Sequence, residues 1–325
     1  MDFAGKRIVI TGGAGLIGSA IARRLVQMDA DVTVIDALLP QYGGNRRNLQ
    51  EVADRIKLIV SDVRDPACLD GLLDGIDILF NLAGQSSHLD SMKDPITDLD
   101  INSRAQIGIL EALRHVNPRA KILFASTRQV YGRPVYLPVD EAHRVHPVDV
   151  NGINKLAGEW FHRLYHEVYG MRTCVFRLTN TYGPGMRIVD ARQTFLGVWI
   201  RRVLSGEPFE IWGGAQLRDF NYVEDVADAC LAAALSERAD GRIFNLGSPE
   251  VVNLRQLGEM LVEINGSGSF ETREFPEERR RIDIGDCYCN FAAIEAALGW
   301  RPRVSLRTGL QRTLEYYRHN MEHYV

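Results

Sequence analysis

Over the first 180 residues, short apolar runs alternate with longer segments in which apolar residues recur every three or four positions. The short runs are rich in valine and isoleucine, which is typical of strands buried on both faces of a sheet. The longer segments have the periodicity of amphipathic helices. The predicted strands are 7–11, 31–36, 56–60, 78–82, 121–126 and 173–178, and the predicted helices are 17–27, 66–73, 98–114 and 151–169.

Strand–helix alternation of this kind predicts an α/β fold with a doubly wound parallel sheet of the Rossmann type. Beyond about residue 180, prolines and glycines separate shorter elements, and no Ser/Gly-rich linker intervenes. We expect residues 1–180 to bind a dinucleotide, with part of 219–250 returning to them, and residues 181–325 to form a smaller interwoven α/β lobe that binds the substrate. The elements predicted in that lobe are a strand at 242–246 and helices at 254–264 and 305–318.

Composition narrows the class of protein further. The 325-residue chain has a formal net charge of -4 and a pI near 6.1, without the basic excess typical of nucleic-acid-binding proteins. No apolar run is long enough to span a membrane, and the N-terminal residues enter a strand without a signal sequence. The five cysteines form no pair with the spacing of zinc ligands. We therefore expect a cytoplasmic protein with no metal and with neither nucleic acid nor membrane as partner.

Three glycines, Gly12, Gly15 and Gly18, follow the first predicted strand and open the first predicted helix. In that context glycines permit a tight turn, a close approach of the backbone to a pyrophosphate, and close packing of helix on strand. The helix N-terminus offers free N–H groups to the phosphates. Asp36, which ends the second strand, is placed to accept hydrogen bonds from the adenosine ribose, and its charge repels a 2′-phosphate. The sequence therefore predicts NAD in preference to NADP.

Other residues at the same edge of the predicted sheet are further candidates for contact with the cofactor. The helix start follows the glycine turn directly, and the third and fourth strands end in short segments that the backbone can bring close to the ligand. The predicted cofactor contacts are Leu16, Ile17, Asp62, Val63, Leu82, Ala83 and Gly84.

Five motifs occur in a characteristic order: TGGAGLIG, NLAG, STRQVYG, NGINK and RLTNTYGPG. With them the chain resembles the extended short-chain dehydrogenases/reductases and, within that family, the nucleotide-sugar epimerase/dehydratase group with its UDP-glucose 4-epimerase-like proteins. The segments 216–229, 244–249 and 298–306 agree, so that the resemblance covers nearly the whole length. It implies a tightly bound NAD that accepts a hydride from a sugar carbon and returns it.

The resemblance also assigns roles around that carbon. It implies that Thr127 supplies a hydroxyl beside the sugar and that Asn102 lies near the nicotinamide. It implies that Lys155 holds the nicotinamide ribose and lowers the pKa of a neighbouring base.

Asn151 departs from the family pattern, because the family has tyrosine at this position, four residues before the lysine. An amide has no useful ionisable proton, but it can form a hydrogen bond with a hydroxyl or a water. Another group then carries the proton, or the substrate needs less activation, or the chain only binds its ligands. His88, Tyr131 and Tyr182 are candidates by local position. We favour His88, with Asn151 as a second catalytic candidate, because imidazole titrates near neutrality.

The residues that follow Thr127 restrict the reaction. Sugar 4,6-dehydratases of the family carry Asp-Glu there, and the decarboxylases carry Glu at the second position. This chain has Arg128 and Gln129, neither of which supplies a carboxyl proton. Epimerisation at C4 needs neither carboxyl group, so a nucleotide-sugar 4-epimerase is the first expectation. A nucleotide-sugar reductase or dehydrogenase and a non-catalytic binding protein are the alternatives.

The nucleotide-sugar substrate needs cationic and polar partners. The resemblance assigns Arg218 and Arg280 to the diphosphate and Asn180 to the sugar or its phosphates, and UDP is the commonest carrier in similar epimerases. Arg128 is a further candidate, since a guanidinium can bind a sugar carboxylate. Gln193 is expected to line the same cleft.

The expected assembly is a homodimer, because the family commonly dimerises through the helices predicted at 98–114 and 151–169. Apolar residues on both helices are candidates for core or interface. They are Ile101, Ile107, Leu110 and Leu113 on the first helix and Leu156, Trp160 and Leu164 on the second.

Overall fold

The computed structural model describes residues 1–192 and 194–325, with all of their side chains except those of residues 278 and 279. Twelve strands are found in this part of the chain. They are β1 Arg7–Thr11, β2 Asp31–Asp36, β3 Ile56–Val60, β4 Ile78–Asn81, β5 Lys121–Thr127, β6 Arg172–Leu178, β7 Asn180–Tyr182, β8 Phe209–Trp212, β9 Leu217–Tyr222, β10 Arg242–Leu246, β11 Val251–Asn253 and β12 Phe270–Arg273.

Seven strands form one parallel sheet in the order β10-β6-β5-β4-β1-β2-β3. The register pairs Ile10 of β1 with Val34 on one side and with Phe80 on the other, which places three apolar side chains on one face of the sheet. The neighbouring pair, Val9 and Leu79, lies in the apolar cluster on the opposite face. The strand order reverses between β1 and β4, where an open α/β sheet forms a crevice at its carboxyl edge. The predicted Rossmann-type α/β fold is confirmed.

Eleven helices and several short helical turns accompany the strands among the described residues. The helices are α1 Leu16–Gln27, α2 His88–Lys93, α3 Pro95–Leu99, α4 Ala105–Val116, α5 Val150–Tyr169, α6 Phe195–Leu204, α7 Val223–Leu235, α8 Leu254–Asn265, α9 Glu277–Arg280, α10 Ala292–Leu298 and α11 Leu306–Asn320. None of the helices in the described part of the chain combines the length and apolar character that crossing a bilayer requires.

Two predicted helices differ from the structure. The segment 66–73 holds only a 3₁₀ turn, Pro66–Leu69, because Asp70 leaves the helical conformation and Gly71 adopts φ +69°. The predicted helix 98–114 lies within a continuous helical run from Pro95 to Val116, in which the turn Asp100–Arg104 between α3 and α4 is π-helical.

Helix α5 was predicted within one residue of its bounds. Asp149 caps its N-terminus by accepting a hydrogen bond from the backbone N–H of Gly152, and Gly170 ends it in the left-handed conformation. Its buried face carries polar groups, including Asn151 and Lys155, towards the carboxyl edge of the sheet.

A second layer lies against that edge. Strands β7, β9 and β11 form a three-stranded sheet, and β8 pairs with β12. They share an apolar cluster with α6, α8 and α11, in which Trp199, Phe209 and Tyr317 are buried. The strand β10, although late in the sequence, completes the large sheet beside β6. The functional division at residue 180 stays a prediction.

Candidate active site

A cleft follows the carboxyl edge of the large sheet, and it brings together most of the residues predicted for cofactor and substrate. The predicted residues that line it are Gly12, Gly15, Leu16, Ile17, Gly18, Asp36, Asp62, Val63, Leu82, Ala83, Gly84, His88, Thr127, Arg128, Asn151, Lys155 and Asn180.

The turn between β1 and α1 is built for a ligand at its centre. Gly12 has φ +70°, and a Cβ there would lie 2.8 Å from the backbone of Ala83. A Cβ at Gly18 would collide with the carbonyl oxygen of Gly12, so this glycine serves the packing of the turn. At Gly15, by contrast, the Cβ would approach only that oxygen, at 3.3 Å. Gly15 therefore leaves space on the cleft side, where the first N–H groups of α1 lack helical partners, and the turn fits a dinucleotide pyrophosphate.

Two carboxylates lie towards the far end of the cleft. Asp36 accepts hydrogen bonds from the backbone N–H groups of Ala14 and Leu38 at 2.9 and 2.8 Å. Burial raises the pKa of Asp36, while these two N–H groups oppose the shift. Asp62 binds the guanidinium of Arg64 through both oxygens, and this pairing is the main cause of its lowered pKa. Asp36 thus retains acceptor capacity for a ribose, whereas Asp62 is already paired.

Lys155 is buried at the other end of the cleft. Its ammonium donates to the carbonyl oxygen of Ala125 at 2.9 Å and lies 5.0 Å from the ring centroid of Phe124. Burial lowers the pKa of Lys155 to about 8, although Asp98 and Glu159 oppose the shift. A Cβ at Gly84 would lie 2.7 Å from this ammonium, so glycine is needed here for close approach.

Asn102 does not line the cleft but lies directly behind Gly84. Its Nδ2 donates to the carbonyl oxygen of Gln85 and to Asp98, whereas its Oδ1 is buried and has no hydrogen-bond partner among the described residues. A Cβ at Gly84 would lie 2.9 Å from that Oδ1. An unpaired acceptor beside the cleft fits a ligand that carries a donor, as the nicotinamide half does.

Asn151 is held by a buried carboxylate. Its Nδ2 donates to Oδ2 of Asp98 at 3.0 Å and to the carbonyl oxygen of Gln85 at 2.8 Å. Asn102 and Asn154 donate to the same carboxylate. Both partners of the Asn151 Nδ2 are acceptors, so the amide orientation follows from the chemistry. Oδ1 is the only side-chain atom of Asn151 left to interact with a ligand, and it can only accept a hydrogen bond.

His88 stands at the N-terminus of α2 on the wall of the cleft. Its Nδ1 lies 3.0 Å from Oδ2 of Asp149, although this contact falls short of a well-aligned hydrogen bond. Asp149 also accepts a bond from Gln129 at 2.9 Å. Burial opposes ionisation of Asp149, but His88 and the other donors outweigh it and leave its pKa lowered. Asp90, also on α2, pairs with Arg192 and not with His88.

Tyr131 and Tyr182 do not line the cleft. The hydroxyl of Tyr131 donates to Asn245 and accepts from Arg177, and burial raises its pKa. The hydroxyl of Tyr182 donates to the carbonyl oxygen of Leu306, and burial raises its pKa as well. Of the three candidates for the missing tyrosine, His88 alone faces the cleft.

Thr127 and Arg128 follow each other at the end of β5. The Oγ1 of Thr127 accepts a hydrogen bond from the N–H of Gln129 at 3.2 Å, which leaves its own hydroxyl hydrogen for another partner. Behind it, Ser126 donates to Glu159, which forms a buried ion pair with Arg177 at 2.6 Å. This network anchors the end of β5 directly before Thr127.

The predicted contacts to the diphosphate are arranged differently from the sequence expectation. Arg218 lies outside the cleft lining and donates to the carbonyl oxygens of Leu217 and Gly285. It pairs with Asp283 at 3.5 Å. Arg280 is exposed near Glu277. Asn180 does line the cleft and donates to the carbonyl oxygen of Asp219, whereas Gln193 lies outside the described residues.

Three polar residues of the site were not singled out from the sequence. Gln85 and Asp98 anchor Asn151, and Asp149 contacts His88. Asp98 lies one helical turn before Asn102, which predicts a contact between the two side chains. Asp149 immediately precedes a helix, which predicts an N-terminal cap. Their contacts join segments about sixty residues apart in the chain, which no local pattern reveals.

The comparisons with known proteins agree with this geometry. The model of the "NAD dependent epimerase/dehydratase family" matches residues 8–247. A putative UDP-glucose 4-epimerase of Methanocaldococcus jannaschii is 32% identical, with 96% of this chain and 99% of that protein covered. UDP-glucuronic acid decarboxylase 1 of Xenopus tropicalis is 31% identical, over 98% of this chain and 73% of that protein.

Among solved structures, UDP-glucose 4-epimerase of Thermotoga maritima with UDP-glucose superimposes with a TM-score of 0.88 at 29% identity, covering 97% of this chain and 99% of that one. The UDP-glucose 4-epimerase of Thermus thermophilus in complex with NAD has a TM-score of 0.85 at 27% identity, covering 96% and 99%. Fold, cleft and sequence thus lead to one conclusion: the chain belongs to the NAD-dependent epimerase/dehydratase family, and NAD is its cofactor.

Proposed function

We propose that this chain is a nucleotide-sugar 4-epimerase that acts on a UDP-sugar. The observation that carries the proposal is the distribution of carboxyl groups in the cleft. Among the described residues that line it, the only two carboxylates are Asp36 and Asp62, both in the adenosine part. Dehydration and decarboxylation in this family need a carboxyl group beside Thr127, and epimerisation does not.

Gln129 supports this choice of reaction. It stands at the position where the dehydratases and decarboxylases carry a glutamate, but it is buried, and its Nε2 donates to Asp149. An amide in this position neither donates a proton to a leaving hydroxyl nor removes one from carbon. The residue therefore serves to hold Asp149.

His88 is the proton carrier in this proposal. Asp149, fixed by Gln129 and by the N-terminus of α5, contacts Nδ1 and leaves Nε2 for a substrate hydroxyl. A carboxylate in this position stabilises the imidazolium formed when the proton arrives. Nε2 returns the proton to the sugar oxygen when the hydride returns to carbon.

The remaining residues orient the sugar. Oδ1 of Asn151 accepts a hydrogen bond from a sugar hydroxyl, and Thr127 donates one to a sugar oxygen. Lys155 binds the nicotinamide ribose and supplies positive charge, which favours deprotonation of the reacting hydroxyl. NAD, when bound, supplies the hydride acceptor and donor. The glycine turn and Asp36 hold its pyrophosphate and its adenosine ribose.

The choice of UDP as the nucleotide of the substrate is supported by similar proteins. The Methanocaldococcus jannaschii protein is named for UDP-glucose, and the Thermotoga maritima structure holds UDP-glucose. In this chain Asn180 and Thr181 of β7 are polar residues of the second layer that reach the cleft, and Arg218 and Arg280 remain candidates for the diphosphate.

A homodimer is part of the proposal. Exposed apolar side chains form a stripe along α5, where Ile153, Trp160, Leu164 and Val168 are each about half exposed. Ile107 of α4 is exposed as well, whereas Ile101, Leu110 and Leu113 are core residues and Leu156 is partly buried. A stripe of this kind on a long helix is typical of an interface between subunits.

The test combines cofactor content with turnover. Protein denatured after purification should release NAD, identified by mass spectrometry. The native protein should then interconvert UDP-sugar C4 epimers with no added oxidant, followed by proton NMR of the sugar. Consumption of NADH with a 4-keto sugar would instead establish a reductase. Release of carbon dioxide would establish a decarboxylase, and bound NAD without turnover across UDP-, dTDP-, CDP- and GDP-sugars would establish a binding protein.

A further inference from the structure

Among the described residues, none forms a hydrogen bond or ion pair with the guanidinium of Arg128. It begins the 3₁₀ turn Arg128–Tyr131, directly after Thr127, and lines the cleft. Its Nε is buried and has no hydrogen-bond partner among the described residues. A guanidinium carries five donors in a planar fork, and a donor that is withdrawn from water without a partner is costly.

The groups around Arg128 do not satisfy it. Asp219 is fully buried, with its Oδ2 bound to the N–H groups of Ser248 and Cys289. Burial raises the pKa of Asp219 to about 6, and the attraction of Arg128 opposes this only in part. Arg218 is a second positive charge, and after burial the main cause of its lowered pKa is Arg128.

The guanidiniums of Arg128 and Arg218 differ in the hydrogen bonds and ion pairs that they form within the protein. Arg218 donates to two carbonyl oxygens and pairs with Asp283. Arg128 has no such partners in the described part of the chain, and it lines the cleft. An anion placed against Arg128 would satisfy its free donors and reduce its repulsion of Arg218.

We propose that Arg128 binds a carboxylate carried by the sugar, so that the substrate is a nucleotide-linked uronic acid. The inference rests on the proposed function and specifies its substrate class. Arg128 is adjacent in sequence to Thr127, the hydroxyl at the reacting sugar, which places the guanidinium at the sugar end of the cleft. A planar fork matches a carboxylate through two parallel hydrogen bonds.

The test measures binding, so that it does not depend on turnover. Dissociation constants of UDP-glucuronate and UDP-galacturonate are compared with those of UDP-glucose, UDP-galactose and UDP alone, on the NAD-loaded protein. The wild-type protein should bind the uronates more tightly than the neutral sugars, on the order of 10- to 100-fold, the range of a hydrogen-bonded charge pair. If UDP itself is not bound, the same ratio is measured with the dTDP-linked pair.

Substitutions of Arg128 then test whether this residue causes the preference for uronates over neutral sugars. Arg128→Met should abolish it while leaving the affinities for UDP and UDP-glucose unchanged, and Arg128→Lys should retain part of it. Arg144→Met is the matched control, because Arg144 is exposed in the same segment. Equal affinity of the wild-type protein for acidic and neutral sugars would overturn the proposal. An equal loss for UDP, UDP-glucose and UDP-glucuronate in Arg128→Met would also overturn it, since Arg128 would then bind the diphosphate.

The two proposals fail differently. Uronate preference without epimerisation would leave the carboxylate site standing and remove the 4-epimerase. Epimerisation of neutral sugars with no preference for uronates would support the 4-epimerase and exclude the carboxylate site at Arg128.

Discussion

Nδ2 of Asn151 lies 3.0 Å from Oδ2 of Asp98, and both side chains are buried. The residue that replaces the family tyrosine is therefore tied to a carboxylate that also binds Asn102 and Asn154. This arrangement makes the amide part of a structural network as well as a lining residue of the cleft.

Exchanging the side chains of Asn151 and Asp98 should reveal the interaction free energy between them. Asn151→Asp places two carboxylates about 3 Å apart in a buried site. Asp98→Asn replaces one of the two acceptor oxygens that three amides share by a donor, so each variant should lower the free energy of unfolding. The double variant restores a carboxylate–amide pair and should recover about 0.5–3 kcal/mol relative to additivity. Urea unfolding of the four proteins measures the coupling. Purely additive effects would mean that the pair does not interact.

Restoring the tyrosine should reduce activity. In Asn151→Tyr the larger phenol displaces the bonds to Asp98 and Gln85, and it competes with His88 for the same hydroxyl. We expect a fall in kcat of at least about tenfold, within the range of lost acid–base assistance. Asn151→Phe, which adds the ring without the hydroxyl, is the control. Activity that appears only in Asn151→Tyr would indicate that the natural chain is a binding protein.

Removing the imidazole of His88 should slow proton transfer and leave NAD binding unchanged. His88→Gly is expected to lower kcat on the order of 10²–10⁴-fold with unchanged NAD content, and added imidazole should restore part of the rate. His115→Gly, at an exposed position of α4, should have no effect on the rate. A rate in His88→Gly close to that of the wild-type protein would exclude His88 as the proton carrier.

The lowered pKa of Lys155 predicts that NAD binding depends on pH. Its pKa is lowered to about 8, so the ammonium loses its proton as the pH rises through that value. NAD affinity should therefore be highest below pH 8 and decline above it, and Lys155→Met should show weaker, pH-independent binding between pH 7 and 9. Titration calorimetry across this interval measures both. Parallel pH profiles for the two proteins would show that the charge of Lys155 does not contribute.

The exposed stripe of α5 predicts the assembly. Trp160, which is 54% exposed, lies near its centre, and Trp160→Glu should convert the dimer to a monomer because a charge would be buried in the interface. Val135→Glu, an exposed apolar position outside these helices, is the matched control. Light scattering coupled to size-exclusion chromatography distinguishes the two states. A wild-type protein that is already monomeric would contradict the proposed dimer.

The parts of the fold that follow local rules were predictable. Apolar runs such as 7–11 and 31–36 have the pattern of buried parallel strands, and the structure has both with those bounds. The glycines after β1 and Asp36 after β2 lie on adjacent strands of one parallel sheet, so their meeting at its carboxyl edge also follows from sequence.

Where the prediction departed from the structure, a local interruption was the reason. The predicted helix 98–114 continues through a π-helical turn at Asp100–Arg104, which leaves its apolar periodicity nearly intact, whereas Gly71 stops the segment after Pro66. Periodicity reports the buried face and not the hydrogen-bonding pattern of the backbone.

By itself, the sequence determined the sheet, the dinucleotide turn, the position of Lys155 and the loss of the tyrosine, because each depends on residues close together in the chain. Only the tertiary structure decided which partners the polar groups have: Asp149 against His88, Asp98 against Asn151, and no hydrogen-bonded partner for Arg128 among the described residues. The physical reason is that these contacts join side chains on separate elements, where burial and distance select the partner and sequence spacing has no influence.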